Sequence, residues 1–92
     1  MAVLKNTGSS RRVVLEAECT VGRSSGCSLV LDSRWVSNHH AVVRWTGSNW
    51  EVRDLGSRNG TFLNTLPAQN TKVQKGDEIR AGVNRFRIEV RA

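Results

Sequence analysis

Apolar residues recur at every second position in three separate stretches of this chain. The three series are Val13, Leu15, Ala17, Cys19 and Val21; Ala41, Val43 and Trp45; and Phe86, Ile88 and Val90. Successive side chains of a β-strand point to opposite faces of a sheet, so each series predicts a strand with one buried face. No apolar residues keep the spacing of an amphipathic helix over three turns. The pattern therefore predicts an all-β protein.

Polar segments rich in glycine, serine and asparagine separate the strands and predict turns at residues 8–10, 24–26, 46–49, 56–60, 75–77 and 82–84. The strands between them are expected near residues 2–5, 12–16, 18–22, 28–31, 40–45, 49–54, 61–63, 72–73, 77–81 and 84–90. Gly47-Ser48 fits a tight hairpin between the strands around Val43 and Val52. Many short strands with frequent turns are typical of an antiparallel sandwich or a small barrel.

Two longer polar stretches, residues 32–38 and 54–60, do not alternate and are dense in Ser, Asn, Asp and Arg. In a small all-β domain such loops usually carry the function. Together with Arg23, which follows a predicted strand, they offer guanidinium groups, hydroxyls and amides. This mixture suits a phosphate held by one bidentate cation and several neutral donors. Composition alone nevertheless favours ordinary capped turns over a phosphate site. The order and spacing of these residues must therefore distinguish the two interpretations.

The composition indicates one small basic domain. The 92 residues include 38% apolar and 24% charged side chains, which is typical of a globular chain with no room for a second domain. Fourteen Lys and Arg against eight Asp and Glu give a formal charge of +6, which favours an anionic partner. Two cysteines build no disulfide framework, and no membrane span or signal peptide is evident. We therefore expect an intracellular protein.

Three sequence blocks occur in a fixed order: Gly22-Arg23, then Ser37-x-x-His40, then Asn59-Gly60-Thr61, with Asn64 three residues after the threonine. Set on alternating strands, these blocks resemble the forkhead-associated (FHA) domain family over about residues 13–90. The resemblance implies an FHA/SMAD-like, two-sheet antiparallel β-sandwich of about eleven short strands, forming a single domain over residues 1–92. It also implies loops at one end that bind phosphothreonine in partner proteins of a Ser/Thr kinase pathway. Members of this family usually belong to a larger chain or complex.

The resemblance further implies roles for individual residues. Arg23 would contact the phosphate or the adjacent peptide main chain, Ser37 would donate its hydroxyl to a phosphate oxygen, and Asn59 would bind the peptide backbone. Asn38 occupies a position where the family often has Arg or Lys and some members have Asn. Arg58 is expected to restore that positive charge. These five residues form the predicted phosphopeptide site.

Two further groups surround that predicted site. The residues expected to support the loops without touching the ligand are Gly22, His40, Gly60, Thr61 and Asn64. The candidates for selecting the third residue after the phosphothreonine are Arg34, Trp35 and Ser57. Thr65 stands where the family often has glycine, which we expect to alter a turn and leave binding intact.

Two other functions are compatible with parts of this sequence. A basic all-β domain with three tryptophans could bind nucleic acid on a stacking platform, but Trp45 and Trp50 share strands with buried positions and are expected in the core. An enzyme built on Ser37, His40 and Asp54 would lack an evident oxyanion hole. We expect His40 to be buried and hydrogen-bonded. We also expect no catalysis, cofactor or metal, and no membrane partner; nucleic-acid binding remains the alternative function.

Overall fold

The computed structural model describes residues 2–6, 12–15 and 17–90. They form eleven strands: β1 (Ala2–Asn6), β2 (Arg12–Leu15), β3 (Glu18–Gly22), β4 (Leu29–Val30), β5 (Ala41–Trp45), β6 (Trp50–Asp54), β7 (Thr61–Leu63), β8 (Leu66–Pro67), β9 (Asn70–Val73), β10 (Glu78–Ala81) and β11 (Asn84–Val90). Over these described ranges no helix is long and apolar enough to cross a membrane. The predicted turn at residues 8–10 lies outside the described residues.

The strands form two sheets that enclose one apolar core. The six-stranded sheet has the order β2-β1-β11-β10-β7-β8, and the five-stranded sheet has the order β4-β3-β5-β6-β9. Buried side chains from both sheets, such as Leu4 and Ile88 from the first and Val43 and Val52 from the second, belong to one core cluster. Burial of these apolar side chains against each other stabilises the pairing of the sheets. The predicted all-β sandwich is confirmed.

One strand pair departs from the predicted antiparallel arrangement. β4 runs parallel to β3, with Val21 opposite Leu29. The reason lies in the loop at residues 23–28, which carries the chain back alongside β3 before β4 begins. Because Leu29 lies opposite Val21, the loop has to return by only one residue, whereas a tight hairpin would have reversed the direction.

Two strand assignments were missing or too short in the sequence prediction. β8 was not predicted, because it has only two residues and contains Pro67, which pairs opposite Phe62. Proline is tolerated there because β8 lies at the edge of its sheet and needs no further backbone donor. β9 begins at Asn70 rather than near residue 72. Its polar first residues pair with β6 at the sheet edge, so no apolar alternation marks them.

The prediction that Trp45 lies in the core is wrong. Its side chain is 46% exposed, whereas Trp50 is 4% exposed, as predicted. Trp45 is the last residue of β5 and precedes the hairpin loop at residues 46–49, so its ring covers Trp50 at a centroid distance of 5.5 Å instead of entering the core. The hairpin itself is confirmed, with Val43 opposite Val52. Alternation also fails at Ala17, which is exposed in a bend before β3.

Candidate functional site

Three loops meet at one end of the sandwich: the β3–β4 loop, the β4–β5 loop and the β6–β7 loop. Backbone hydrogen bonds join the first two. The Arg23 N–H donates to the Ser37 carbonyl at 3.0 Å, and the Ser24 N–H donates to the Asn38 carbonyl at 3.2 Å. Because these bonds use the backbone, they fix the start of the Arg23 side chain beside Ser37 and Asn38 while leaving the side chains free for other contacts.

Gly22 permits the close approach of these two loops. A Cβ atom at this position would lie 2.2 Å from the Asn38 carbonyl oxygen and 2.9 Å from the Cys27 Sγ. The first distance is far shorter than any van der Waals contact and involves backbone, which cannot rotate away. Any larger residue would therefore separate Arg23 from Asn38. This supports the expected structural role of Gly22.

His40 connects the other pair of loops and is fully buried, as predicted. Its Nδ1 accepts a hydrogen bond from the Ser37 N–H at 3.1 Å, and its Nε2 lies 2.8 Å from the Gly60 carbonyl oxygen. A backbone N–H only donates and a carbonyl only accepts, so the ring is neutral and carries its proton on Nε2. The His40 carbonyl accepts in turn from the Leu55 N–H at 2.9 Å. With both ring nitrogens occupied, His40 positions the loops and has no nitrogen left to act as a base.

The Ser37 hydroxyl keeps its proton available for a ligand. Its Oγ accepts a hydrogen bond from the Arg58 N–H at 3.0 Å. A hydroxyl that accepts in this way still has one O–H to donate. The contact therefore holds Ser37 and Arg58 side by side while the donor of Ser37 remains open.

Asp54 organises the β6–β7 loop, a role the sequence prediction missed. Its carboxylate accepts hydrogen bonds from the Gly56 N–H at 3.0 Å, the Ser57 N–H at 3.1 Å, the Ser57 hydroxyl and the Thr61 hydroxyl at 2.7 Å. Partial burial alone would raise the pKa of Asp54, but the hydrogen bonds from Ser57, Thr61 and Gly56 outweigh it, and the pKa is lowered. The cue in the sequence is a carboxylate two and three residues before Gly56 and Ser57, which is the spacing of an Asx turn.

Asn59 is anchored to the β4–β5 loop. Its Nδ2 donates to the Trp35 carbonyl at 2.8 Å. Gly60, which follows it, has a φ of 84°, in the region that favours glycine. The side-chain amide of Asn59 is thereby held in one orientation, with Oδ1 remaining as a possible acceptor for a peptide N–H.

A cleft of about 180 Å³ lies between the three loops. Its lining residues are Arg23, Arg34, Val36, Ser37, Asn38, Arg58 and Asn59. All five residues of the predicted phosphopeptide site are among them. They are joined by Arg34, a predicted specificity residue, and by Val36, which the sequence analysis did not single out. Three guanidinium groups and no carboxylate line the cleft, so it is suited to an anion.

The remaining predicted residues lie around or beyond the cleft. Trp35 is 46% exposed at its rim, with the Arg34 guanidinium carbon 4.8 Å from its ring centroid. Ser57 faces Asp54 and does not line the cleft. Asn64 stands at the opposite end of β7 with a φ of 60°, and its Oδ1 accepts from the Glu78 N–H at 3.1 Å. It therefore stabilises the β7–β8 turn at a distance from the three loops.

The family model for the FHA domain matches residues 19–82. The chain belongs to the FHA domain family. Among curated proteins it is similar to the oxoglutarate dehydrogenase inhibitor of Corynebacterium jeikeium, with 36% identity over 96% of this chain and 60% of that protein. The chain thus spans less than two thirds of that relative's length.

Two solved structures are also similar to this FHA domain. The first is Mycobacterium tuberculosis EmbR in complex with a low-affinity phosphopeptide, with a TM-score of 0.93 and 33% identity over 99% of this chain and 24% of EmbR. The second is the FhaA FHA domain complexed with the intracellular domain of Rv3910, with a TM-score of 0.89 and 32% identity over 97% of this chain and 100% of that domain.

Proposed function

We propose that this FHA domain binds phosphothreonine in a partner protein and catalyses no reaction. The observation that carries the proposal is the cleft, in which Arg23, Ser37, Asn38, Arg58 and Asn59 come together from three loops. Residues 1–92 then act as one domain of a longer protein, and a Ser/Thr kinase phosphorylates the threonine of the partner. The known complexes of EmbR with a phosphopeptide and of FhaA with Rv3910 support binding by relatives of similar structure.

The cleft offers charged groups for the phosphate and neutral groups for the peptide main chain. A phosphothreonine carries a charge of about −1.5 to −2 at neutral pH and three acceptor oxygens. The guanidinium groups of Arg23 and Arg58 would balance that charge, and the Ser37 hydroxyl would donate to one oxygen. Asn38 and Asn59 provide neutral amide groups for the peptide main chain beside the phosphate. Proton transfer usually relies on His, Asp, Glu, Lys, Tyr or Cys, and the lining of the cleft contains none of these.

The geometry favours this function over nucleic-acid binding. Trp50 is buried, and the two half-exposed tryptophans lie at opposite ends of the sandwich, Trp35 beside the cleft and Trp45 beside the distant hairpin. Successive bases cannot stack on rings so far apart.

An oriented phosphothreonine peptide library, screened against the pure protein, tests the proposal. The best peptide is then titrated by calorimetry with and without its phosphate, and a single-stranded oligonucleotide is titrated in parallel at low and high salt. We expect binding only of the phosphorylated peptide, with a shallow salt dependence. Binding of the oligonucleotide with a steep dependence of log affinity on log salt would assign the protein to nucleic acid instead.

A further inference from the structure

The outer faces of the two sheets carry different charge patterns. On the five-stranded sheet, one cross-strand row consists of Glu18, Arg44, Glu51 and Lys72, from β3, β5, β6 and β9. The charges alternate in sign, and the Arg44 Nε lies 3.3 Å from the Glu51 Oε1. Opposite charges in register on neighbouring strands stabilise a sheet. This row is therefore neutralised within the protein itself.

The corresponding row on the six-stranded sheet is not neutralised. It consists of Arg12, Lys5, Arg87 and Glu78, from β2, β1, β11 and β10. Its first three members are all cations on strands that lie about 4.8 Å apart. Like charges directly opposite each other destabilise a sheet. Lys5 stands between Arg12 and Arg87, so it takes part in two unfavourable pairs.

The neighbouring row adds to the positive charge. Arg85 lies opposite Arg80, and the Arg80 guanidinium carbon is 4.4 Å from the Phe62 ring centroid. The Nε of Arg80 is buried without a hydrogen-bond partner in the described part of the protein. Among the described residues of this face, five cations stand against the carboxylates of Glu78 and Glu89. The face therefore holds an excess of three positive charges, half of the formal charge of the chain.

We propose that the outer face of the six-stranded sheet is a second binding surface, which takes an acidic, carboxylate-rich segment of a protein partner. None of the residues that line the phosphopeptide cleft belongs to this face. A carboxylate placed between Lys5 and its neighbouring cations would convert two repulsive contacts into attractive ones. The carboxylates of the partner would lie between the cations of this face, as Glu18 and Glu51 lie beside Arg44 and Lys72 on the five-stranded sheet.

Three features of the face favour a protein over a nucleic acid. Glu78, whose Oε1 lies 4.0 Å from the Arg85 Nε, and Glu89 interrupt the cations, so the face does not offer the continuous positive charge that suits a phosphate backbone. Val14, 59% exposed and opposite Val3, adds apolar surface next to the charged row. Among the described residues of this face, the aromatic ring is that of Phe62, and the Arg80 guanidinium lies over it, where it competes with stacking. Mixed charge with adjoining apolar area is typical of protein interfaces.

Two matched variants of the whole chain test the proposal. Lys5→Glu turns the row of cations into an alternating row, and Lys72→Glu makes the same change of charge on the other sheet, where it disrupts alternation. The probe is an unphosphorylated hexaglutamate peptide at low salt, titrated by NMR so that the shifted backbone amides locate the contact. A short DNA duplex is titrated alongside, and melting temperatures are recorded for all three proteins.

We expect hexaglutamate to shift amides of β1, β2 and β11, and Lys5→Glu to weaken its binding about fivefold or more while Lys72→Glu leaves it within about twofold. Lys5→Glu should melt a few degrees higher and Lys72→Glu a few degrees lower than the natural protein. Phosphopeptide affinity should be unchanged in both, which separates this proposal from the function of the cleft. Equal weakening by both variants, a lower melting temperature for Lys5→Glu, no detectable hexaglutamate binding, or tighter binding of the duplex to this face would each overturn it.

Discussion

The imidazole of His40 donates a hydrogen bond from Nε2 to the backbone carbonyl of Gly60 across 2.8 Å. These residues are 20 positions apart in the sequence, and the bond joins the β4–β5 loop to the β6–β7 loop. On the other side of the ring, Nδ1 accepts the Ser37 N–H, so one buried side chain holds Ser37 and the Asn59-Gly60 turn at a fixed separation. The positions of Ser37 and Asn59 therefore depend on a fully buried side chain.

Replacement of His40 by alanine should destabilise the protein. It leaves the partly buried Ser37 N–H and Gly60 carbonyl without the ring as partner, which costs about 1–3 kcal/mol of unfolding free energy. Urea unfolding measures the loss. His40→Gln provides the comparison, since its side-chain amide can still donate toward Gly60 and should restore part of the stability. A loss of phosphopeptide affinity with unchanged unfolding would instead assign His40 to the ligand contacts.

Arg23→Ala should weaken phosphopeptide binding and leave the fold intact. Hydrogen bonds to an ionised group contribute about 1.5–3 kcal/mol, which corresponds to roughly ten- to hundredfold in affinity. The Arg23 side chain is exposed and its backbone N–H, which holds the loop, remains in the variant. Calorimetric titration gives the affinity, and Arg53→Ala, an exposed arginine on the outer face of β6, is the matched control. Unchanged affinity of Arg23→Ala would contradict the assignment of the site.

The sequence predicted the sandwich because alternation is a local property. The alternation around Val43 and Ile88 identifies the buried face of each strand from that strand's own sequence, whichever strand it pairs with. The errors occur where contacts outside the strand determine the outcome. Trp45 has the correct parity but is the last residue of β5, where its ring stays 46% exposed, and the direction of β4 depends on the path of the loop at residues 23–28.

The site was predicted unevenly for a similar reason. The order of the motif residues was enough to find the five residues that now line one cleft. The bond of Asn59 to Trp35 was missed because it joins two loops whose approach depends on the fold, and the bond of Ser57 to Asp54 was missed although the spacing of an Asx turn was its cue. Val36 escaped notice because it follows Trp35 in an otherwise polar stretch without alternation, although it is buried and lines the cleft.

Asn59→Ala should also reduce phosphopeptide affinity, but without a change in salt dependence. The variant loses a neutral amide, and neutral hydrogen bonds are weakly screened by ions. It also frees the Trp35 carbonyl, so the β4–β5 loop loses one of its ties. Titrations at low and at high salt should give the same ratio of affinities between the natural protein and the variant. Asn70→Ala, on the edge strand β9, serves as control; a ratio that changes strongly with salt would show that Asn59 acts through charge.

The carboxylate of Asp54 should make stability depend on pH in the acid range. Its pKa is lower in the folded protein than the value of about 3.9 for an unperturbed aspartate. Its contribution is therefore complete above about pH 4 and is lost as the pH falls through the lower folded pKa. Urea unfolding at a series of pH values should show a stability difference between the natural protein and Asp54→Asn that shrinks below about pH 4. Ser57→Ala, which removes one hydroxyl donor, should weaken this dependence, and a difference constant with pH would refute the role of the ionised form.

The FHA domain should prefer phosphothreonine to phosphoserine in the same peptide. Both residues present the same phosphate to Arg23 and Ser37, so electrostatics cannot separate them. Burial of the additional methyl group contributes about 0.8 kcal/mol, and the β-branched threonine loses less rotamer freedom on binding. Together these effects reach about 1–2 kcal/mol, or roughly five- to thirtyfold in affinity.

The preference requires an apolar surface beside the phosphate position, and Val36 is the aliphatic residue in the lining of the cleft. Because Val36 is only 1% exposed, we expect the methyl group of phosphothreonine to contact mainly the Asn59-Gly60 backbone and the Asn38 side chain, with Val36 beneath them. Matched phosphothreonine and phosphoserine peptides, titrated at one salt concentration and pH, measure the difference, and their unphosphorylated forms are the controls. Equal dissociation constants would mean that the cleft reads only the charge of the phosphate, because a site with an apolar niche must bind the additional methyl group more tightly.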